Sequence, residues 1–299
     1  MKTSRHGKPG KPPTRLEVSE PAELMEFLIG KMPSQARNNI KSLLTHRQVQ
    51  VDGEVISRYN HLLQVGQEVM IHWSLIRDEG SDRGLKILYQ DSEIIVIDKP
   101  AGLLSIASDQ EKEITAYRQV RDYVSEADPE ERIFIVHRLD RDTSGVMMFA
   151  RNESIKHVLQ DSWKEIVIDR AYVAVVEGGI SDKQGTIKSW LKETKTKLMY
   201  SSGREGDGLE AVTHYRVLQT NAKYSLLEIR LETGRKNQIR VHLKDMGHSI
   251  IGDKKYGSTT NPIGRLGLHA HILAFKHPVS GRVMRFETEV PKKFTSLFR

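Results

Sequence analysis

Residues His137–Gly145 read HRLDRDTSG. They sit between two apolar runs of strand length, Ile133–Val136 and Val146–Ala150. A polar loop between two buried strands projects its side chains from a rigid base. Asp140 is the central candidate in it. Arg138 and Arg141 are close in sequence and could form an ion pair with its carboxylate. A carboxylate held at a strand end can serve as a nucleophile or a base. Without further context, an Asp in a polar loop is more often a turn or capping residue. The Asp140-x-Asp142 pair lacks the spacing of a calcium loop. Ser144 does not lie in a Gly-x-Ser-x-Gly elbow, which argues against a hydrolase.

Outward from this loop the chain is rich in strands. Ile94–Ile97 predicts a short buried strand stopped by the Lys-Pro-Ala-Gly run at 99–102. Further strands are predicted over 172–176, 211–218, 224–232, 268–275 and 282–288. Ile155, Val158, Leu159 and Trp163 recur at helical spacing, and a helix over 237–246 ends at Gly247. Strands dominate and no regular strand–helix alternation appears. The fold class predicted for residues 87–299 is therefore α+β, with a mixed, largely antiparallel sheet.

The N-terminal part reads differently. Residues 1–15 hold five Lys or Arg, three Pro and no acid, which predicts a disordered basic tail. Residues 16–75 form a small module. Pro21 opens a helix with Leu24, Phe27 and Leu28 on one face. Ser34 is expected to cap a second helix, with Ala36, Ile40, Leu43 and Leu44 facing the core. Val49 and Val51 then lead into a hairpin turn at Asp52-Gly53. Residues 31–50 contain four Lys or Arg and no carboxylate. Arg37, Lys41 and Arg47 are thus candidates for following a phosphate backbone. Residues 76–86, charged and without periodicity, read as a linker.

Composition narrows the function. Lys and Arg number 46 against 39 Asp and Glu, a net charge of +7, which suggests a polyanionic partner. The chain has no cysteine, which excludes disulfides, thiolate metal sites and cysteine nucleophiles. No apolar run is long enough to span a bilayer and no secretory signal is visible, so the expected location is the cytoplasm. Lys188, Lys192, Lys195, Lys197 and Arg204 form a second basic stretch, read as a backbone-contacting surface or a solvated loop. His269, His271 and His277 could suggest a metal, but no carboxylate or cysteine completes the set, so no metal is expected.

HRLDRDTSG also matches the HRLD-x-x-TSG motif of the RluA-type RNA pseudouridine synthases at His137, Arg138, Leu139, Asp140, Thr143, Ser144 and Gly145. Other segments resemble that family in order: LYQDSEIIVIDKPAGLLS at 88–105, DRAYVAVVEG at 169–178, TGRKNQIRVHL at 233–243 and LHAHILAFKHPVSG at 268–281. The run SQARNNIKSLLTHRQVQVDG at 34–53 resembles the S4 RNA-binding domain. Lys236 and Asn237 depart from the family pattern, which often has Thr or Ser and then His there.

The resemblance implies an enzyme that isomerises uridine in structured RNA. Large-subunit ribosomal RNA is the leading substrate and transfer RNA the alternative. Asp140 would be the essential carboxylate, either attacking C1′ or acting as a base at the 2′ position. Arg240 would be its ion-pair partner. Tyr172 would stack on uracil and assist proton removal at C5. The target base must be flipped out, with Arg138 filling the vacated space and His137 beside it contributing to substrate binding. The reaction is redox-neutral and no dinucleotide or phosphate-loop motif is present, so no cofactor is expected. A monomer that binds RNA and no membrane is the expectation. The competing class is a non-catalytic RNA-binding or ribosome-assembly protein, which would not need Asp140, Tyr172 and Arg240 together.

Overall fold

Strand Ser144–Ala150 is buried along its whole length. The computed structural model, which describes residues 13–45, 48–73, 85–107 and 115–299, shows why. One face of the strand packs Met147 and Phe149 under helix Ala116–Ala127, through Ala116, Val120 and Val124. The other packs Val146, Met148 and Ala150 under helix Glu153–Asp161, through Ile155 and Leu159. A strand covered on both faces has no polar alternation, hence the unbroken apolar run in the sequence.

This strand pairs antiparallel with Ile94–Lys99, and Gly145 stands opposite Lys99. Its other edge pairs parallel with Leu268–Lys276 at two positions only, Ser144 to His269 and Gly145 to Ala270. Beyond that point the partners diverge. Leu268–Lys276 continues against Val283–Glu287, and Ser144–Ala150 against Phe134–Ile135. The sheet runs on from Leu268–Lys276 through Val167–Glu177, Tyr224–Leu231, Leu209–Thr220, Gln184–Glu193 and Met199–Ser202, all antiparallel. At the opposite edge Lys86–Gln90 pairs with Ile94–Lys99. The sheet is therefore mixed and mostly antiparallel, as predicted.

Gly145 makes the parallel junction possible. Its φ is +114°, and a Cβ there would lie 2.0 Å from the carbonyl oxygen of Ala270. Gly145→Ala must push the two strands apart at the base of the polar loop. It is expected to lose roughly 2–5 kcal/mol of stability, from steric overlap plus backbone strain. A urea titration reads this as a lower midpoint; a loss under 1 kcal/mol would show that the junction yields easily.

Two elements escaped the sequence reading. Helix Ala116–Ala127 presents only three small or branched core residues amid polar ones. Strand Gln184–Glu193 places the polar Ser189 at a buried position, which blurs its alternation. Lys86, assigned to the linker, begins a strand instead, because its neighbours pair with Ile94–Lys99.

The N-terminal residues form a separate unit. Helices Leu24–Lys31 and Arg37–Thr45 bury Leu24, Phe27, Leu28, Ile40, Leu43 and Leu44. Four strands pair in the order Thr14–Glu17, Glu68–Ile71, Val49–Val51, Glu54–Val55. Thr14 and Arg15, read as tail, belong to the first of these because they pair with Ile71 and Met70. The first helix starts at Leu24 rather than Pro21, since Ala22–Glu23 pairs with Leu62–Leu63. The second starts at Arg37; Ser34 is not its cap, and Ala36 is exposed before it. The predicted hairpin turn has Asp52 at φ 49° and Gly53 at φ 84°, the left-handed pair that joins tightly twisted strands. Arg37 and Lys41 are exposed on the second helix; Arg47, most of the basic tail and residues 76–84 of the linker lie outside the described residues. Among the described residues no helix is long and apolar enough to cross a membrane.

Candidate active site

The loop before strand Ser144–Ala150 is tied down on both sides of Asp140. On one side Ser105 Oγ donates to Leu139 O at 2.6 Å and accepts from Leu139 N at 3.1 Å. On the other, Arg141 O accepts from Lys99 Nζ at 3.1 Å and from Gly102 N at 2.9 Å. Lys99 is fully buried, and its Nζ also donates to Leu103 O and Pro100 O. Burial pushes its ammonium down to about 7, against the opposing pull of Asp142 and Asp140. The Lys-Pro-Ala-Gly turn thus grips the backbone that carries Asp140.

Arg240 meets the Asp140 carboxylate, with Nη1 at 3.1 Å from Oδ2. Helix Gln238–Asp245 brings it there, 100 residues along the chain. Arg138 and Arg141, the nearby cations in sequence, do not fill that role. Arg141 pairs with Asp142 at 3.3 Å, and Arg138 is exposed at the cleft. Most of the guanidinium of Arg240 is given to a residue the sequence reading passed over. Asp253 accepts from Nε at 2.7 Å and from Nη2 at 2.8 Å, with its side chain only 1% exposed. The Tyr256 ring lies under the same guanidinium at 4.8 Å. Burial would lower the pKa of Arg240; Asp253 above all, then Asp140, outweighs this and raises it.

The two departures from the family pattern separate here. Asn237 adopts φ 54°, a conformation Asn tolerates, and donates to the Tyr256 hydroxyl at 2.9 Å while accepting from Arg240 at 3.3 Å. Lys236 is paired with Glu193. Asp253→Asn cannot accept twice from Arg240 and should release its aim at Asp140. Turnover is expected to fall about 10- to 100-fold with RNA affinity little changed, the cost of a loosened catalytic geometry. Lys236→Ala should leave both intact. Equal turnover by folded Asp253→Asn would remove Asp253 from the site.

Tyr172 enters the same cleft from strand Val167–Glu177. The pairing with Leu268–Lys276 slips there: Ala171 faces Ile272, but Tyr172 faces Ala270. His271 is the extra residue, a bulge of the kind that re-aims a side chain at a site. Tyr172 is half-buried against both adjoining apolar clusters. Burial raises its pKa, Arg170 opposes this and Asp140 adds to it. Asp140, Tyr172, Arg240, Arg138 and His137 all line one cleft of about 600 Å³.

His137 is occupied structurally. Its Nε2 accepts from Met148 N at 3.1 Å, its ring lies 5.0 Å from Trp163, and burial followed by the nearby Arg170 pushes it down to about 3. The C-terminal histidines are likewise engaged. His269 bridges Ser144 Oγ and Thr288 Oγ1, His271 bonds Thr288 O, and His277 bonds Asp91. The second basic stretch is partly neutralised across strands: Lys188 pairs with Glu210 at 2.7 Å and Lys192 with Asp207 at 2.6 Å. A count along the sequence missed these carboxylates because they come from the next strand and a neighbouring loop.

Residues 93–245 match the RNA pseudouridylate synthase family model. The chain is 34% identical over 286 residues to an uncharacterized RNA pseudouridine synthase of Synechocystis, covering 92% of this chain and 87% of that one. It is 32% identical over 291 residues to the ribosomal large subunit pseudouridine synthase D of Salmonella typhimurium, covering 92% and 89%. A solved human structure, RNA pseudouridylate synthase domain containing 1, superposes with a TM-score of 0.56 at 26% identity, covering 72% of this chain and 86% of that one. The chain belongs to the RNA pseudouridylate synthase family. It is an isomerase whose substrate is RNA.

Proposed function

We propose that this enzyme converts specific uridines of large-subunit ribosomal RNA to pseudouridine, in the cytoplasm, with Asp140 as the group that acts on the sugar. The observation that carries this reading is the Asp140–Arg240 pair at 3.1 Å in the cleft that also receives Tyr172. Arg240 engages Oδ2, which leaves Oδ1 of Asp140 for the substrate. That oxygen either attacks C1′ or takes a proton at the 2′ position; both routes release N1 from C1′. The freed uracil turns and C5 bonds to C1′ as the Asp140–C1′ bond breaks or, on the other route, as Asp140 returns its proton to C2′. C5 then loses its proton and N1 gains one. Tyr172, stacked on uracil, assists the proton loss at C5. Arg138, exposed at the cleft, fills the space the flipped base leaves in the RNA, at a flipping cost of a few kcal/mol.

Residues 16–75 act as an S4-like RNA-binding module in this reading, and residues 87–299 supply the chemistry. The exposed Arg37 and Lys41, with Arg47, contact phosphates. The relative named for the large ribosomal subunit supports ribosomal RNA as the target. The test is incubation of the purified protein with RNA from a strain lacking it, followed by pseudouridine mapping at single-nucleotide resolution. New pseudouridine at discrete positions of large-subunit ribosomal RNA is the expected result. Conversion confined to transfer RNA would overturn the target, and conversion nowhere would overturn the reaction.

A further inference from the structure

One cation of the cleft has no use in the chemistry above. Arg170 lies two residues before Tyr172 on strand Val167–Glu177, so both side chains leave the same face of the sheet. Its guanidinium packs over the Trp163 ring at 5.8 Å. On another side it meets the Thr233–Arg235 loop, where a Cβ added to Gly234 would come within 2.7 Å of Nη1. The plane of the fork is therefore held by an indole and a backbone. Yet among the described residues no carbonyl or carboxylate accepts a hydrogen bond from it. The contrast with its neighbours is sharp. Arg240 is paired with Asp253 and Asp140, and Arg235 donates to Glu210 O. The carboxylates that line the cleft do not reach Arg170: Asp161 and Glu165 are exposed, and Glu232 is paired with His214.

A half-buried guanidinium that faces an open cleft, with no acceptor among the described residues, has its donors available for an acceptor on a ligand. A planar fork fixed in orientation suits a bidentate oxyanion. Asp140 and Tyr172 already account for the sugar and the base of a bound nucleotide. The remaining part of that nucleotide is its phosphodiester, which alone carries charge. We propose that Arg170 is the binding site for a phosphodiester flanking the flipped uridine, and so sets the sugar over Asp140. This rests on the reaction proposed above. The indole of Trp163 and the absence of a side chain at Gly234 keep the fork open toward the cleft.

The test uses a short oligoribonucleotide spanning a mapped target uridine, made in three forms: unmodified, and with an uncharged methylphosphonate at the linkage 5′ or 3′ of that uridine. For the wild-type protein, one methylphosphonate should weaken binding about tenfold or more, as expected for a lost charge-assisted hydrogen bond. Arg170→Gln should weaken binding of unmodified RNA by a similar factor, and the same methylphosphonate should then cost nothing further. Arg170→Lys should recover part of the affinity, since it restores charge without the fork. The slope of log affinity against log salt should fall by about 0.7 for Arg170→Gln. Additive losses from the variant and both methylphosphonates would overturn the proposal. So would a shifted pH profile of single-turnover rate with no phosphate coupling, because Arg170 would then serve Tyr172. Salt titration of a short labelled oligouridine gives the slope change even where no turnover occurs. A lower slope for Arg170→Gln than for wild type, together with no pseudouridine formed by the wild type, would overturn the reaction and keep the phosphate site.

Discussion

Asp140→Asn is expected to stop pseudouridine formation while RNA binding survives. The substitution keeps the size and planarity of the side chain, and the loop around it is fixed from elsewhere. Ser105 holds Leu139 and Lys99 holds Arg141, so the backbone at 140 does not depend on the carboxylate. An amide can still accept from Arg240 but is neither a nucleophile toward C1′ nor a base at the 2′ position. A group that acts only in the reaction lowers kcat and leaves affinity nearly unchanged. The loss should be several orders of magnitude, comparable to removal of other essential nucleophiles or bases, roughly 10⁴-fold or more. Single-turnover assays on a mapped RNA, with melting curves to show an intact fold, decide the matter. Turnover within tenfold of wild type would place the chemistry on another residue.

The second large effect is loss of stability in mild acid. Three imidazoles are kept neutral in the larger unit. His269 is pushed down to about 3 by burial, then by Arg265 and His271. His137 falls to about 3 through burial and Arg170, and His242 to about 4 through burial, with Asp245 opposing. His242 sits between Ser189 and Thr213, and His269 between Ser144 and Thr288, so their ring nitrogens are engaged inside the protein. Unfolded histidine binds its proton near pH 6.5. Each of these groups has a lower pKa folded than unfolded, so the unfolded chain takes up protons first as pH falls. Their contribution is complete above about 6.5 and is lost progressively between 6.5 and 3 to 4. At about 1.4 kcal/mol per pH unit for each fully titrating group, the total reaches several kcal/mol. Urea midpoints should be flat above pH 7 and drop steeply between 6 and 4.5. His269→Gln should flatten that slope by close to one proton. A midpoint unchanged from pH 7 to 5 would contradict buried neutral imidazoles.

Local chemistry along the chain was enough to find the strands that carry the site, the turn at Asp52-Gly53, and the helix end at Gly247, where φ is 83°. It also singled out the loop holding Asp140. Tyr172 and Arg240 stood out only through the resemblance to the RluA-type synthases, since by residue type alone one reads as a half-buried strand residue and the other as a solvated helix position. The apolar run at 144–150 shows that both faces are covered, but it does not say by what.

The tertiary structure decided which groups meet. Asp253, not a residue of the HRLD loop, takes the fork of Arg240, and Lys99 and Ser105 hold the loop from a distant segment. Lys188 and Lys192 looked like free charge until the adjoining strand and loop supplied Glu210 and Asp207. Arg170 has an indole and a glycine for neighbours rather than an acid, which nothing in its own segment signals. The reason is that periodicity reports how each side chain stands relative to its own element. Ion pairs, hydrogen bonds and unmet donors depend on which elements become neighbours and in what register. In this chain that register is set by contacts such as the close approach of Gly145 to Ala270, 125 residues apart, for which no local pattern exists.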